Sequence, residues 1–350
     1  MGSLAHPRPA VTTQVTIVPL VGPFHARWPR YTVVHVRAIV EAFTPDVVAL
    51  APLAAGALAD PLWQDTDEVA LPHTVVPWAR RAGVRLVEIG LAAADPLDPG
   101  DPKAEADLQR YLALYDDGKA RLAAVGAALA PVRELLRGAL GLERIANELL
   151  PAIAAHQAER RRLLDHGPGD GWLEERAALL ASRALATGGR RIALLAGVDQ
   201  VPALTSALAG HAELSEPPLP DPGEEARKRA LLDVAMRGEA ADVAALLESL
   251  ARLDEPEARY HEANLLLAND HPAEALERLE ALLRLDFHEP YYLPGFALAR
   301  IGQLYDLAGR RSEATRSYRG ALALSYAPAA AREAATAGLA QPFQPGEPES

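Results

Sequence analysis

Histidine, arginine and the carboxylates carry whatever acid-base or metal chemistry this sequence can do, because none of its 350 residues is cysteine. Thiolate nucleophiles, disulfides and cysteine-rich zinc sites are thereby excluded. His261 and Glu262 sit in a helical stretch, but position 265 is leucine, so the paired histidines of a helix-borne zinc protease are missing. Asp65, Asp67 and Glu68 cluster near Trp63 with no histidine at ligand spacing, which reads as a solvated loop. The run Gly167-Pro168-Gly169-Asp170-Gly171 falls between helical stretches and not after a strand, as a hinge does and a phosphate cradle does not. Neither a Gly-x-Ser-x-Gly elbow nor a Gly-Lys-Ser/Thr loop occurs. Arg160-Arg161-Arg162 closes a helical stretch, where cations offset the negative helix end. His25 remains, in the turn-rich segment Val21 to His25.

The elements around these residues follow from apolar spacing. Val15 to Leu20 is short and β-branched and runs into turn residues, which predicts a buried strand. Helical spacing at Val33, Val36, Val40 and Phe43 precedes Pro45-Asp46 and a second apolar run, Val47 to Leu50. A short helix near Val75 to Ala82 leads to a third strand, Arg85 to Ile89, and the alternation predicts parallel strands with crossover helices. Helices without strands follow from Lys103 to about Asp165, an insertion or lid. Helix 171–186, a fourth strand from Arg191 to Ala196 and a helix from Val201 then resume the α/β pattern. Ser215 to Gly223 holds four prolines and is the expected linker.

Self-similarity follows the linker. Segments around Val243, Ala275 and Ala314 superpose at spacings of 32 and 39 residues, the second with an insertion at Asp286 to Pro294. Leu298, Ile301-Gly302, Tyr305, Gly309, Ala314, Tyr318 and Ala321 form the clearest unit. Ala263, Leu266, Asp270, Ala275, Leu279 and Leu282 correspond in the middle unit, and Leu231, Gly238, Val243, Leu247 and Leu250 in the first. This pattern resembles the tetratricopeptide (TPR) family, in which a small residue on the first helix lets the second cross closely. The resemblance implies a groove lined by the first helix of each pair, here Lys228 and Leu232, then Tyr260, Asn264 and Leu267, then Phe296, Gln303 and Asp306. Its occupant would be a protein or peptide, the rest of this chain, or a second copy in a homodimer.

A second resemblance covers about Val15 to Leu214. Gly22-Pro23-Phe24-His25 after a strand, Pro45-Asp46-Val47-Val48-Ala49-Leu50, helix-borne Glu175-Arg176 and Gly197-Val198-Asp199-Gln200 resemble the TraB/Tiki superfamily, with its erythromycin esterase-like and ChaN haem-binding members. The resemblance implies two Gly-x-x-His loops, a glutamate and an arginine, suited to metal binding or hydrolysis. His25 and Arg176 fall on that pattern, whereas the glutamate position is Ala51 and the second histidine position is Gln200. Losing a base and a ligand points to an inactive domain, a pseudoenzyme. The alternative is a metal-dependent hydrolase or a metal- or haem-binding protein using His25, Arg176 and Asp199 as catalytic residues.

Composition sets the outer bounds. Hydrophobic residues are 49% and charged residues 23%, so the chain folds, and a formal charge of -12 disfavours nucleic acid as partner. Met1 to Ala10 carries no leader-like apolar run and no later stretch is long enough to span a membrane, so the expectation is cytoplasmic, with no membrane partner. The expected fold class is an α/β N-terminal domain (12–214, helical insertion about 103–165) plus an all-α TPR-like repeat domain (224–340), joined by linker 215–223 and ending in a flexible tail, 341–350. The expected role is protein binding or scaffolding, with no metal and no cofactor.

Overall fold

The structure, a computed structural model, describes residues 12–91, 102–164, 172–239, 241–285 and 289–344. The glycine run 167–171 and tail residues 345–350 lie outside the described residues. The fold is mixed α/β, and the chain divides into two compact units. The first comprises residues 1–22, 35–57 and 75–222, the second 23–34, 58–74 and 223–350. Segments 23–34 and 58–74, within the span expected for the N-terminal domain, therefore belong with the C-terminal helices.

The first unit is built on β1 (Gln14–Leu20), α1 (Val33–Phe43), β2 (Val47–Ala54), α2 (Val76–Ala82) and β3 (Arg85–Gly90). The inserted helices follow: α3 (Pro102–Leu112), α4 (Asp116–Ala128), α5 (Ala130–Arg137), α6 (Leu142–Arg144) and α7 (Leu150–Leu164). Then come α8 (Trp172–Ala186), β4 (Arg191–Gly197), α9 (Val201–Leu208) and β5 (Glu213–Ser215). The five strands form one parallel sheet, ordered β3-β2-β4-β1-β5. Buried on both faces, β1, β2 and β4 are apolar almost without interruption, as a covered parallel sheet requires. Val15, Ile17, Ala49, Ile192 and Leu194 pack with Ala177, Leu180, Ala181 and Ala184 of α8 and with Leu204 and Leu208 of α9. Asp46, which breaks the sequence after α1, accepts from the backbone N–H of Arg190 (2.9 Å) and Arg191 (3.0 Å) and so ties the start of β2 to that of β4.

The second unit is helical: α10 (Gly223–Arg237), α11 (Val243–Ala251), α12 (Pro256–Ala268), α13 (Pro272–Leu282), α14 (Leu293–Leu307), α15 (Arg311–Ala323) and α16 (Ala329–Ala340). Short turns join α10 to α11, α12 to α13 and α14 to α15. Each contains a left-handed residue, at Gly238 (φ 66), Asp270 (φ 64) and Gly309 (φ 72). Glycine adopts that conformation without Cβ strain, and aspartate is among the residues that tolerate it. Three apolar clusters run through the unit, centred on Leu232, Leu246 and Leu250, on Ala275, Leu279 and Ile301, and on Ala314, Tyr318 and Ala335. No helix of the described residues is long and apolar enough to cross a membrane.

Candidate binding site

Charge on the helical unit concentrates where α10, α12 and α14 face the two short segments that share the unit. Arg229 and Asp233 are one turn apart on α10, and Nε donates to Oδ1 at 2.8 Å. The same guanidinium holds Glu257 of α12 through two contacts, Nη1 to Oε2 at 2.9 Å and Nη2 to Oε1 at 2.8 Å. The first is a charge-assisted hydrogen bond and the second a close ion-pair contact. The hydroxyl of Tyr292 also donates to Glu257, and His261 Nε2, one turn along α12, lies 3.5 Å from Oε1. Arg229, Asp233, Glu257 and His261 are all buried.

Two carboxylates share one guanidinium, and their environments separate them. Burial works against the charge of Glu257, but Arg229, with help from His261, holds its carboxyl well below the usual range. Burial pushes Asp233 up to about 6 despite Arg229, and the Glu257 charge adds to the rise. Burial also drives the Tyr292 hydroxyl well above its ordinary value, with Glu257 contributing, so it stays a donor.

Segment 58–74 enters through a π-helical turn, Leu71–Val75, that places His73. Its ring lies 5.1 Å from that of Tyr292 and meets Tyr291 edge-on at 5.8 Å. Thr74 Oγ1 donates to the Val33 carbonyl at 2.8 Å, which ties the two short segments together. Arg237 of α10 donates to the Ala26 carbonyl, and the Ala329 N–H at the start of α16 donates to Asp65 Oδ2 at 2.9 Å. Asp65, expected from its neighbours to lie in a solvated loop, is exposed but accepts from the helix start.

Burial lowers His73 from 6.5 to about 4, Arg229 adds to the shift and Glu257 opposes it. The folded pKa lies below the unfolded one, so this contribution to stability is fully present above pH 6.5 and is lost as pH falls to about 4. His73→Gln is therefore expected to flatten the acid loss of stability between pH 6.5 and 4, read as urea midpoints across that window. An unchanged acid slope would show that His73 is not held neutral by the fold.

Two cavities open beside the cluster. One of about 320 Å³ is lined by Lys228, Arg229, Leu232, Glu255 and Glu257 with Val33 and His73. The other, about 410 Å³, is lined by Tyr260, Asn264, Tyr291, Tyr292, Phe296 and Arg300 together with Asp65 and His73. Of the groove residues expected from sequence, Lys228 and Leu232 thus reach the first cavity, and Tyr260, Asn264 and Phe296 the second. Gln303 lines a separate space near Tyr318 and Phe343. Leu267 packs against the core around Ala275 and Leu279. The Asp306 side chain is fully buried and accepts from Arg311, the Tyr318 hydroxyl (2.9 Å) and the Phe343 N–H (2.8 Å), a structural hub.

The three residues expected to be catalytic are not gathered in one unit. Arg176, on α8, and Asp199, just past β4, belong to the sheet unit, and the arginine charge acts on the Asp199 carboxylate. His25 belongs to the helical unit, fully buried, with Nδ1 2.9 Å from the Tyr31 carbonyl oxygen and its ring tilted against the Tyr31 ring. Among the described residues no group of three or more histidines and carboxylates is placed to hold a metal. Arg229, Glu257, His73, Tyr292 and Arg300 escaped the sequence reading. The available signal was spacing: Arg229/Asp233 and Glu257/His261 are both i,i+4 pairs, normally solvated but here turned inward. No known family, curated protein or solved structure matches this chain.

Proposed function

We propose that the helical unit is a TPR-like array whose work is to hold polypeptide, and that in this structure it holds two segments of its own chain. The repeat reading is supported by three helix pairs in the expected places, with the left-handed residues Gly238, Asp270 and Gly309 at corresponding turns. It is also supported by Gly302, where an added Cβ would stand 2.5 Å from the Tyr318 ring, the close crossing that the small residue was expected to allow. Helix α16 follows the third pair and covers Tyr318 and Ala314, as a capping helix does at the end of a stacked array.

The observation that carries the binding reading is the identity of the lining. The first helices of the three pairs, α10, α12 and α14, face segments 23–34 and 58–74 through His73 on Tyr292, Arg237 on Ala26 and the shared cavities. This is the face by which such arrays bind extended chains, and here it is met by the Ala26 carbonyl and the His73 ring from the same molecule, with Asp65 on the N–H of Ala329 in α16. The role is scaffolding, with segment 58–74 as resident ligand. The hydrolase reading has no comparable support, because His25 orders its own turn through Tyr31.

The test is competition. Asp65→Ala with His73→Ala removes two contacts of the resident segment, and the full-length variant is expected to capture a labelled peptide of residues 58–74 at least tenfold better than the parent chain. Equal capture, or none by either protein, would remove the resident-ligand reading.

A further inference from the structure

The 410 Å³ cavity has a charge inventory that the holding role does not explain. Its charged lining side chains other than histidine are Asp65, Asp233 and Arg300. Asp65 faces the N–H of Ala329, in the first turn of a twelve-residue helix, where the positive helix end offsets its charge. Asp233 pairs at 2.8 Å with Arg229, a guanidinium it shares with Glu257. Arg300 differs from both. Nη1 donates to the neutral amide oxygen of Gln303 at 2.8 Å, and Nε is buried with no partner among the described residues. No carboxylate of the described residues pairs with it.

A donor buried without a partner costs stability, and the half-buried Arg300 side chain lines the cavity with no carboxylate of the described residues to offset its charge. Asn264 of α12 lines the same space, and its amide oxygen is likewise buried without a partner. A primary amide can present either its oxygen or its NH₂ to a ligand. The remaining walls are rings and aliphatic groups: Tyr260, Tyr291, Tyr292, Phe296 and Val69. A volume of this size falls in the range of small-molecule sites, in which apolar walls carry the body of the ligand and a few polar groups orient it.

We propose that this cavity binds a small organic monocarboxylate with an aromatic or branched apolar body, its carboxylate on Arg300 and Asn264 and its body among the tyrosines and Phe296. A single guanidinium matches a single negative charge through the fork geometry. The Asp65 and Asp233 carboxylates in the same lining repel a dianion such as phosphate. A cation beside Arg300 would be repelled by the guanidinium, which has no carboxylate partner among the described residues. The inference does not depend on the repeat reading.

The same chemistry exists in a free acid and in the C-terminus of a peptide, and the experiment separates them. Full-length protein is titrated calorimetrically with phenylacetate, benzoate and hexanoate, with phenylacetamide and 2-phenylethylamine as neutral and cationic controls, and with a hexapeptide ending in phenylalanine. Saturable binding of at least one free acid is expected, with the amide and the amine silent. Arg300→Gln is expected to weaken that acid at least tenfold, in line with loss of a charge-assisted hydrogen bond. Arg300→Lys, which keeps the charge, is expected to recover part of the loss, and unchanged circular dichroism for both variants separates binding from folding. No saturable acid, equal affinity in Arg300→Gln, or binding of the peptide alone would overturn the proposal.

Discussion

Arg229→Met is expected to cost the helical unit about 3–5 kcal/mol, the penalty typical of breaking a buried ion pair from one side. The guanidinium is the shared counter-charge of Asp233 and Glu257, and all three are buried. Methionine fills part of the volume but leaves two largely buried carboxylates without their counter-charge. Both would then take up protons on folding, so the loss is largest near pH 8 and shrinks towards pH 5. Removing the whole network gives a different result. Arg229→Met with Asp233→Leu, Glu257→Leu and Tyr292→Phe is expected to recover most of the lost stability, because a well-packed apolar replacement avoids the desolvation cost. Chemical denaturation of both variants checks this. A single-variant loss below about 1 kcal/mol would mean that the cluster is hydrated in solution and behaves as a surface ion pair.

The second large effect lies at the other end of the unit, where Tyr318 is fully buried between two glycines. A Cβ at Gly302 would stand 2.5 Å from the ring and one at Gly338 only 2.2 Å from it. Tyr318 has little room to retreat, since its hydroxyl donates to buried Asp306 at 2.9 Å. Glycine to alanine inside a helix normally gains about 1 kcal/mol of propensity. Here overpacking of about 1–3 kcal/mol or more opposes that gain, so Gly302→Ala and Gly338→Ala are both expected to destabilise. Gly126→Ala, inside α4 with nothing within 4 Å of the added carbon, is the control and is expected to stabilise by about 0.5–1 kcal/mol. Thermal melts of the three variants decide the matter. Equal shifts at all three sites would show that close packing around Tyr318 is absent.

These two effects also mark how far the sequence could be read. Gly302, Ala314 and Tyr318 were legible as a packed set because their spacing repeats along the chain. Strands β1, β2 and β4 were legible because a parallel sheet covered on both faces demands near-continuous apolar runs, and the edge strand β3 because its short stretch follows a helix in the alternating pattern. Strand β5 was not, since Glu213-Leu214-Ser215 is three residues long, carries no run of its own and abuts the proline-rich segment. The Arg229 network was also invisible. Charged pairs at i,i+4 are ordinarily solvated, and only packing of α10 against α12 turns this one inward. The placement of segments 23–34 and 58–74 with the helical unit lies further out of reach, because periodicity is local and these residues are grouped by contacts across more than 150 positions of chain.

The central claim is that the array holds segment 58–74 as a bound chain rather than as part of its own core. Backbone hydrogen exchange of the full-length protein, parent against Tyr291→Ala, tests it most directly. Tyr291 is half-buried and touches His73 edge-on, outside the Arg229 network. The expected result is faster exchange confined to residues 58–74 and 23–34, with α12 to α15 keeping their protection. Unchanged protection of residues 58–74, or an even loss across those segments and helices α12 to α15 together, would contradict the account.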